Sequence, residues 1–311
     1  MQLRCILTEC DVRKYVSSFL DYLRYERNYS AHTVDSYSID LMQFITYIED
    51  KAEMEGDAFE IERIDADIVR SWMMCLMKQS LSPASVNRKL SALQSFFTYA
   101  VRKGIVEKHP LRLINGPKKS KPIPYFIKEK ELDCLLEEET EEAGFEEVRN
   151  QLILELLYET GVRCAELVGI TDRDIDLEAM LLKVTGKRNK QRLIPFANRL
   201  KDMILYYKNV RAREVGEASA SFFVRKDGRP VTSAIVYHVV KKKLSGIPTL
   251  AKRSPHVLRH TFATSMLNDG ATMSAVSNLL GHSSLASTSV YTHVTFEELK
   301  RVYNAHPRAK K

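Results

Sequence analysis

The chain has 311 residues, 44% of them hydrophobic and 28% charged, with a formal net charge of +7. That length is too great for one comfortable core and suits two domains. No apolar run is long enough to span a bilayer, and the first ten residues mix Arg4 and Glu9 with polar groups, unlike a signal peptide. The expectation is a cytoplasmic protein without a membrane partner. Five cysteines at positions 5, 10, 75, 134 and 164 form no CxxC pair, which argues against a disulfide framework or a cysteine zinc site.

The first third of the chain has helical periodicity. Val12, Val16, Phe19, Leu20 and Leu23 recur at helix spacing. Val34, Tyr37, Leu41, Phe44, Ile45 and Ile48 do the same after Ser30, a suitable N-cap. Ile68, Trp72, Cys75 and Leu76 predict a third helix capped near Asp65. Ser82 and Pro83, a cap followed by a first-turn proline, open a fourth helix. It runs through Val86, Leu90, Leu93, Phe97 and Ala100 to Gly104. Four such helices make a small bundle over residues 10–114. The stretch 115–124, with three prolines and three lysines, predicts a linker.

Residues 125–311 predict a mixed second domain. Leu152 to Tyr158 forms a buried helix closed by Gly161. Leu181 to Val184 and Arg192 to Phe196 flank a hairpin tip at 186–190. A helix follows Ser254 and Pro255 and runs to about Asn268, and short helical stretches surround Gly281 and Tyr291. The expected fold class is mostly α with a small antiparallel β-sheet: a helical N-terminal bundle plus an α+β domain.

Charge is unevenly placed. Positions 49–67 are mostly acidic, whereas 78–121 are nearly all basic, including Arg88, Lys89, Lys118 and Lys119. Further basic stretches hold Lys187, Lys190 and Arg192, then Lys241, Lys242, Lys243, Lys252 and Arg253. Basic segments in both halves suit a protein that grips a polyanion from two sides.

Three groups of residues carry chemistry. Arg163 sits where the chain turns after a helix end, so its guanidinium can fork onto two phosphate oxygens, and Glu166 is spaced to hold it. His256 and Arg259 stand three apart in the first turn of a helix, an environment that favours an anion. His256 and His260 also have the four-residue spacing of zinc ligands, but Val257 stands where a glutamate base would, and Arg259 would set a positive charge beside the cation. His282 lies at a helix end, nine positions before Tyr291. Each residue alone has an ordinary structural reading. Their order lifts the signal.

The segments TGVRCAEL, HVLRHTFAT, LLGHSS and VYTHV resemble the signature boxes of the tyrosine recombinase, or phage-integrase-type, family. FLDYLRYERNYSAHTVDSYSIDL and VNRKLSALQSFFTYAVRKGIVEKHPL resemble that family's N-terminal core-binding domain, and THVTFEELKRVYNAHPRA resembles its Xer branch, the chromosome-dimer-resolving recombinases. The resemblance covers nearly the whole chain. It implies a DNA-binding bundle and a catalytic domain closing as a clamp on duplex DNA. It also implies that Tyr291 attacks the scissile phosphodiester to form a 3′-phosphotyrosyl link, with no cofactor, metal or ATP. Arg163 and Arg259 match the phosphate-clamping arginines, His282 a third phosphate donor, and His256 the group that helps proton transfer. Lys187 matches the lysine that protonates the leaving 5′-oxygen, with Lys190 as its rival, and Glu166 is expected to support Arg163 from behind. Arg88, Lys89, Lys118, Lys119 and Lys190 are expected to contact DNA.

The resemblance further implies a tetramer on DNA, alone or with a sister recombinase, and a DNA translocase as a further partner. Phe296, Leu299, Val302 and Tyr303 have the spacing to dock a tail on a neighbouring subunit or on its own. Three readings compete: a mobile-element integrase or type IB topoisomerase of similar chemistry, a noncatalytic DNA-binding regulator, and a metal hydrolase using His256, His260 and His282. The regulator leaves the Arg, Lys, His and Tyr set unexplained, and the hydrolase lacks carboxylate ligands at sensible spacing.

Overall fold

A computed structural model describes residues 10–55, 61–118, 126–128, 131–132, 136, 144–186, 189–216, 220–281 and 303. The chain divides into two compact units, Met1–Pro122 and Ile123–Lys311. No helix among the described residues is long and apolar enough to cross a membrane.

The first unit is a helical bundle. Its helices are α1 (Cys10–Asp21), α2 (Ala31–Glu55), α3 (Ala66–Lys78) and α4 (Pro83–Arg102). A π-helical turn, Tyr22–Glu26, continues α1. Asp65 caps α3 by accepting the backbone N–H groups of Asp67 and Ile68, both at 2.9 Å. Ser82 caps α4 by accepting from Ser85 N–H. Phe19, Phe96 and Phe97 meet edge to face in the core, and so do Phe44 and Trp72. The buried seam of α3 runs through Val69, Trp72 and Leu76. The predicted seam through Ile68 and Cys75 is one position off, and both of those side chains are only partly buried.

A buried ion cluster joins α2 to α4. Asp40 is fully buried, Lys89 is 4% exposed, and the lysine Nζ donates to Asp40 Oδ1 at 2.9 Å. It also donates to Gln43, and half-exposed Arg88 donates to the other Asp40 oxygen. This corrects the expectation that Lys89 touches DNA. In α4 it falls on the same face as Val86 and Leu93, so its ammonium is turned inward onto Asp40.

The second unit is built around α5 (Phe145–Thr160), in which every residue from Leu152 to Thr160 is buried. A helix buried on all sides belongs in the middle of a core. Its buried Glu155 accepts from Arg199, and its buried Glu159 accepts from the hydroxyl of Tyr303 at 3.2 Å. Tyr303 thus packs on its own chain. The rest of the 296–303 stretch lies outside the described residues.

After the short helix α6 (Cys164–Val168) comes a three-stranded antiparallel sheet. Its strands are β1 (Ile175–Asp176), β2 (Leu181–Thr185) and β3 (Gln191–Pro195), in that spatial order. Leu182 pairs with Ile194, and Val184 with Arg192. The helices α7 (Asn198–Glu214), α8 (Ser233–Leu244), α9 (Pro255–Asn268) and α10 (Met273–Leu280) complete the unit. β1, α7 and α8 are absent from the sequence-based elements. In α7 the core positions Leu200, Ile204, Tyr207 and Val210 are interleaved with Arg199, Lys201, Lys208, Arg211 and Arg213, which masks the stripe. Ser254 precedes α9, but its side chain makes no capping bond.

Removing the Asp40 carboxylate leaves Lys89 buried without its charge partner. Asp40→Ala is expected to lower unfolding free energy by roughly 3–5 kcal/mol, and combining it with Lys89→Met should recover most of that loss. Urea titration of the two variants checks this; a single-variant loss below about 1 kcal/mol would contradict the packing account.

Candidate active site

The site begins where α5 stops. Gly161 takes a left-handed conformation with φ of 59°, and a Cβ there would lie 2.5 Å from Phe262 and 2.9 Å from Leu280. Only glycine combines that dihedral with that approach. The turn delivers Arg163 as the N-cap residue of α6. The Glu166 carboxylate folds back to accept the Arg163 backbone N–H at 2.8 Å and the Arg163 guanidinium, also at 2.8 Å. The first bond is the acidic half of a capping box.

Glu166 has a second arginine. Arg192 of β3 donates one N–H to each carboxylate oxygen, at 2.9 and 2.8 Å. Its Nε donates to the Leu279 carbonyl at 2.7 Å. The backbone of Gly186 passes close to the same carboxylate: a Cβ there would sit 3.2 Å from Glu166 Oε1. One buried carboxylate therefore joins the start of α6 to β3, and Arg192 carries the link on to the end of α10.

Arg259 comes from the first turn of α9. It is 7% exposed, and its guanidinium donates to the Gly161 carbonyl and, at 2.7 Å, to the Leu280 carbonyl. Arg163 donates to the Gly281 carbonyl at 3.1 Å. These acceptors lie at the C-terminal ends of α5 and α10, where unpaired carbonyls carry partial negative charge and favour cations. Gly281, like Gly161, closes its helix with positive φ, at 62°.

Three guanidinium groups around one carboxylate leave a local charge of +2 (three positive less one negative). Burial by itself raises the Glu166 pKa. The side-chain bonds from Arg192, the Arg163 backbone N–H, the Arg192 charge and the Arg163 side chain outweigh burial and hold it at about 2. Burial, together with the charges of Arg163 and Arg192, brings Arg259 down to about 10, so this guanidinium stays charged at neutral pH. A rigid, positively charged seat of fork-shaped donors is suited to a phosphoryl group whose negative charge grows during reaction.

Among the expected site residues, Arg163, Glu166 and Arg259 are brought together. His256 is exposed on the first turn of α9, three residues before Arg259. Lys190 is exposed on the hairpin, where its carbonyl accepts Gly186 N–H at 2.8 Å. Arg88 and Lys118 are exposed on the first unit. Lys119, Lys187, His282 and Tyr291 lie outside the described residues. Arg192 escaped sequence reasoning beyond its place in a basic stretch. Its signal was parity: Arg192 and Ile194 share one face of β3, and Ile194 is fully buried, so the arginine is directed inward.

Since folding lowers the Glu166 pKa from 4.5 to about 2, the stability it contributes is present above pH 4.5 and is lost as pH falls toward 2. The contribution is on the order of 3 kcal/mol. Glu166→Gln is therefore expected to be less stable at pH 7 and to show a flatter acid limb. Thermal melts between pH 7 and 3 measure both, and parallel acid limbs for the two proteins would refute the assignment.

Comparison with known proteins accords with this geometry. The phage integrase family matches residues 125–298, and the phage integrase N-terminal SAM-like domain matches residues 16–104. The tyrosine recombinase XerC of Chlorobaculum tepidum is 37% identical, covering 95% of each chain. That of Bacillus subtilis is 36% identical over 96% of this chain and 98% of its own. The fold resembles that of the XerH site-specific recombinase bound to palindromic difH substrate, with a TM-score of 0.69, 22% identity, and coverage of 93% of this chain and 80% of that one. The Tn1549 transposon integrase in complex with transposon right end DNA aligns with a TM-score of 0.65 at 18% identity, over 92% of this chain and 97% of that one. The chain belongs to the phage integrase family and is a site-specific DNA recombinase of the tyrosine class.

Proposed function

We propose that the two units, with 10–114 as DNA-binding domain, 115–124 as linker and 125–311 as catalytic domain, act on duplex DNA as follows. Tyr291 is the nucleophile. Its hydroxyl oxygen attacks the scissile phosphorus while the bond to the 5′-oxygen breaks, leaving a 3′-phosphotyrosyl link and a 5′-hydroxyl. Bond energy is kept in the phosphotyrosine, so rejoining runs by the reverse displacement. Arg163 and Arg259 hold the non-bridging oxygens, with His282 as a third donor. His256 takes up the tyrosine proton, and Lys187 delivers one to the leaving oxygen, with Lys190 as the alternative donor. The observation that carries this reading is the +2 arginine seat, fixed by Glu166 and two helix ends before any DNA arrives.

The same reading places Arg88, Lys118, Lys119 and Lys190 against DNA phosphates, where charge steers and positions without specifying sequence. XerC relatives at 36–37% identity over nearly the whole chain support a role in chromosome dimer resolution. We propose that it takes place in the cytoplasm, on a tetramer formed with itself or a sister recombinase, under a translocase.

A nicked duplex carrying the target site, incubated with the protein in EDTA, should yield a covalent protein–DNA adduct. Tyr291→Phe should give none. An adduct undiminished in that variant would remove Tyr291 as nucleophile, and loss of the wild-type adduct in EDTA would show a metal requirement. Recombination of a two-site plasmid separates recombinase from topoisomerase.

A further inference from the structure

Arg192 is not among the groups assigned to the phosphate, yet its side chain makes three hydrogen bonds within the site where those of Arg163 and Arg259 make two each. It covers both oxygens of Glu166, donates to Leu279, and rests against the Gly281 backbone, where a Cβ would lie 3.2 to 3.4 Å from its guanidinium and Cδ. Without it, Glu166 would keep, among the described residues, only Arg163 as a hydrogen-bonded cationic partner. A lone, buried Arg–Glu pair is neutral and self-contained, and its arginine has little field left for an anion. With Arg192 present, the carboxylate is shared, Arg163 holds Glu166 through Nη1 only, and its Nη2 is spent on a carbonyl rather than on a second carboxylate oxygen.

We infer that Arg192 is a positioning residue for strand cleavage: it takes up the charge of Glu166 and so leaves the charge of Arg163 for the scissile phosphate. Removing Arg192 drops the local charge from +2 to +1 and lets Glu166 draw Arg163 away from the phosphate. Removing Glu166 as well restores +2. The inference rests on the proposed reading of Arg163 as a phosphate clamp.

The test uses the full chain, a nicked target duplex and the rate of adduct formation in a single turnover. R192Q should cleave about 100-fold more slowly, the size of loss expected when a catalytic group is misplaced. Its affinity for the duplex, read by gel shift, should stay within about threefold, since the counterion-release term changes by at most one charge. R192K, which keeps the charge but lacks the fork, should fall between. E166Q/R192Q should cleave faster than R192Q; a purely structural role for Arg192 predicts a double variant no faster than the single, and that result would overturn the proposal. Thermal melts confirm that each variant is folded, and R192K carries the test should R192Q fail to fold.

A second substrate, with a neutral methylphosphonate at the scissile position, separates the two levels of the argument. On it R192Q should approach the wild-type rate, because there is no non-bridging charge to neutralise. A defect of R192Q equal on both substrates would overturn the inference. An R163A defect that the methylphosphonate does not relieve would overturn the clamp reading itself.

Discussion

The Glu166 carboxylate, shared between two guanidiniums, is the contact on which the second unit's chemistry depends. It is buried, and it closes the N-terminus of α6, aligns Arg163 and receives the inward arginine of β3. A buried ion pair seldom stabilises a protein relative to apolar packing. Its use here is directional. Four bonds converge on two oxygens, and every donor comes from a residue whose backbone is fixed by a helix start or a strand pair. The arrangement holds like charges close together, which is unfavourable in the empty protein and favourable once an anion enters.

The two units treat buried charge differently. In the first, Asp40 faces Lys89 and Arg88, and the cluster ties α2 to α4. The lysine is consumed there, and only Arg88 keeps an exposed face. In the second, positive groups exceed the carboxylate they surround, and the surplus is held for a ligand. The same residue types thus serve cohesion in one place and recognition in the other, and the difference lies in charge balance rather than composition.

Much of this was legible in the sequence, because local rules set it. Asp65 and Ser82 announced helix starts, Gly161 announced a helix end, and the 181–196 hairpin followed from two β-rich runs around a polar tip. Arg163, Glu166 and Arg259 were visible through order and spacing. What stayed hidden was set by long-range contact. Lys89 looked like part of a basic surface until its face of α4 was matched with Asp40, 49 residues earlier. Arg192 looked like a hairpin charge, because its partner Glu166 is 26 residues away and its carbonyl acceptor 87. Helix α7 was obscured by its own arginines and lysines, which drown the apolar stripe that seats it.

The carbonyls that receive Arg163, Arg192 and Arg259 have a consequence for how this chain can vary. All belong to the main chain, at Gly161, Leu279, Leu280 and Gly281. A carbonyl offers the same oxygen whatever side chain its residue bears. The part of the guanidiniums' aim that Glu166 does not set is therefore stored in the path of the backbone, and the identity of the apolar side chains at those helix ends matters to the clamp only through packing, so long as the two glycines keep their turns. Lineages could exchange most of the apolar packing around the clamp and still present the same charges at the same angles.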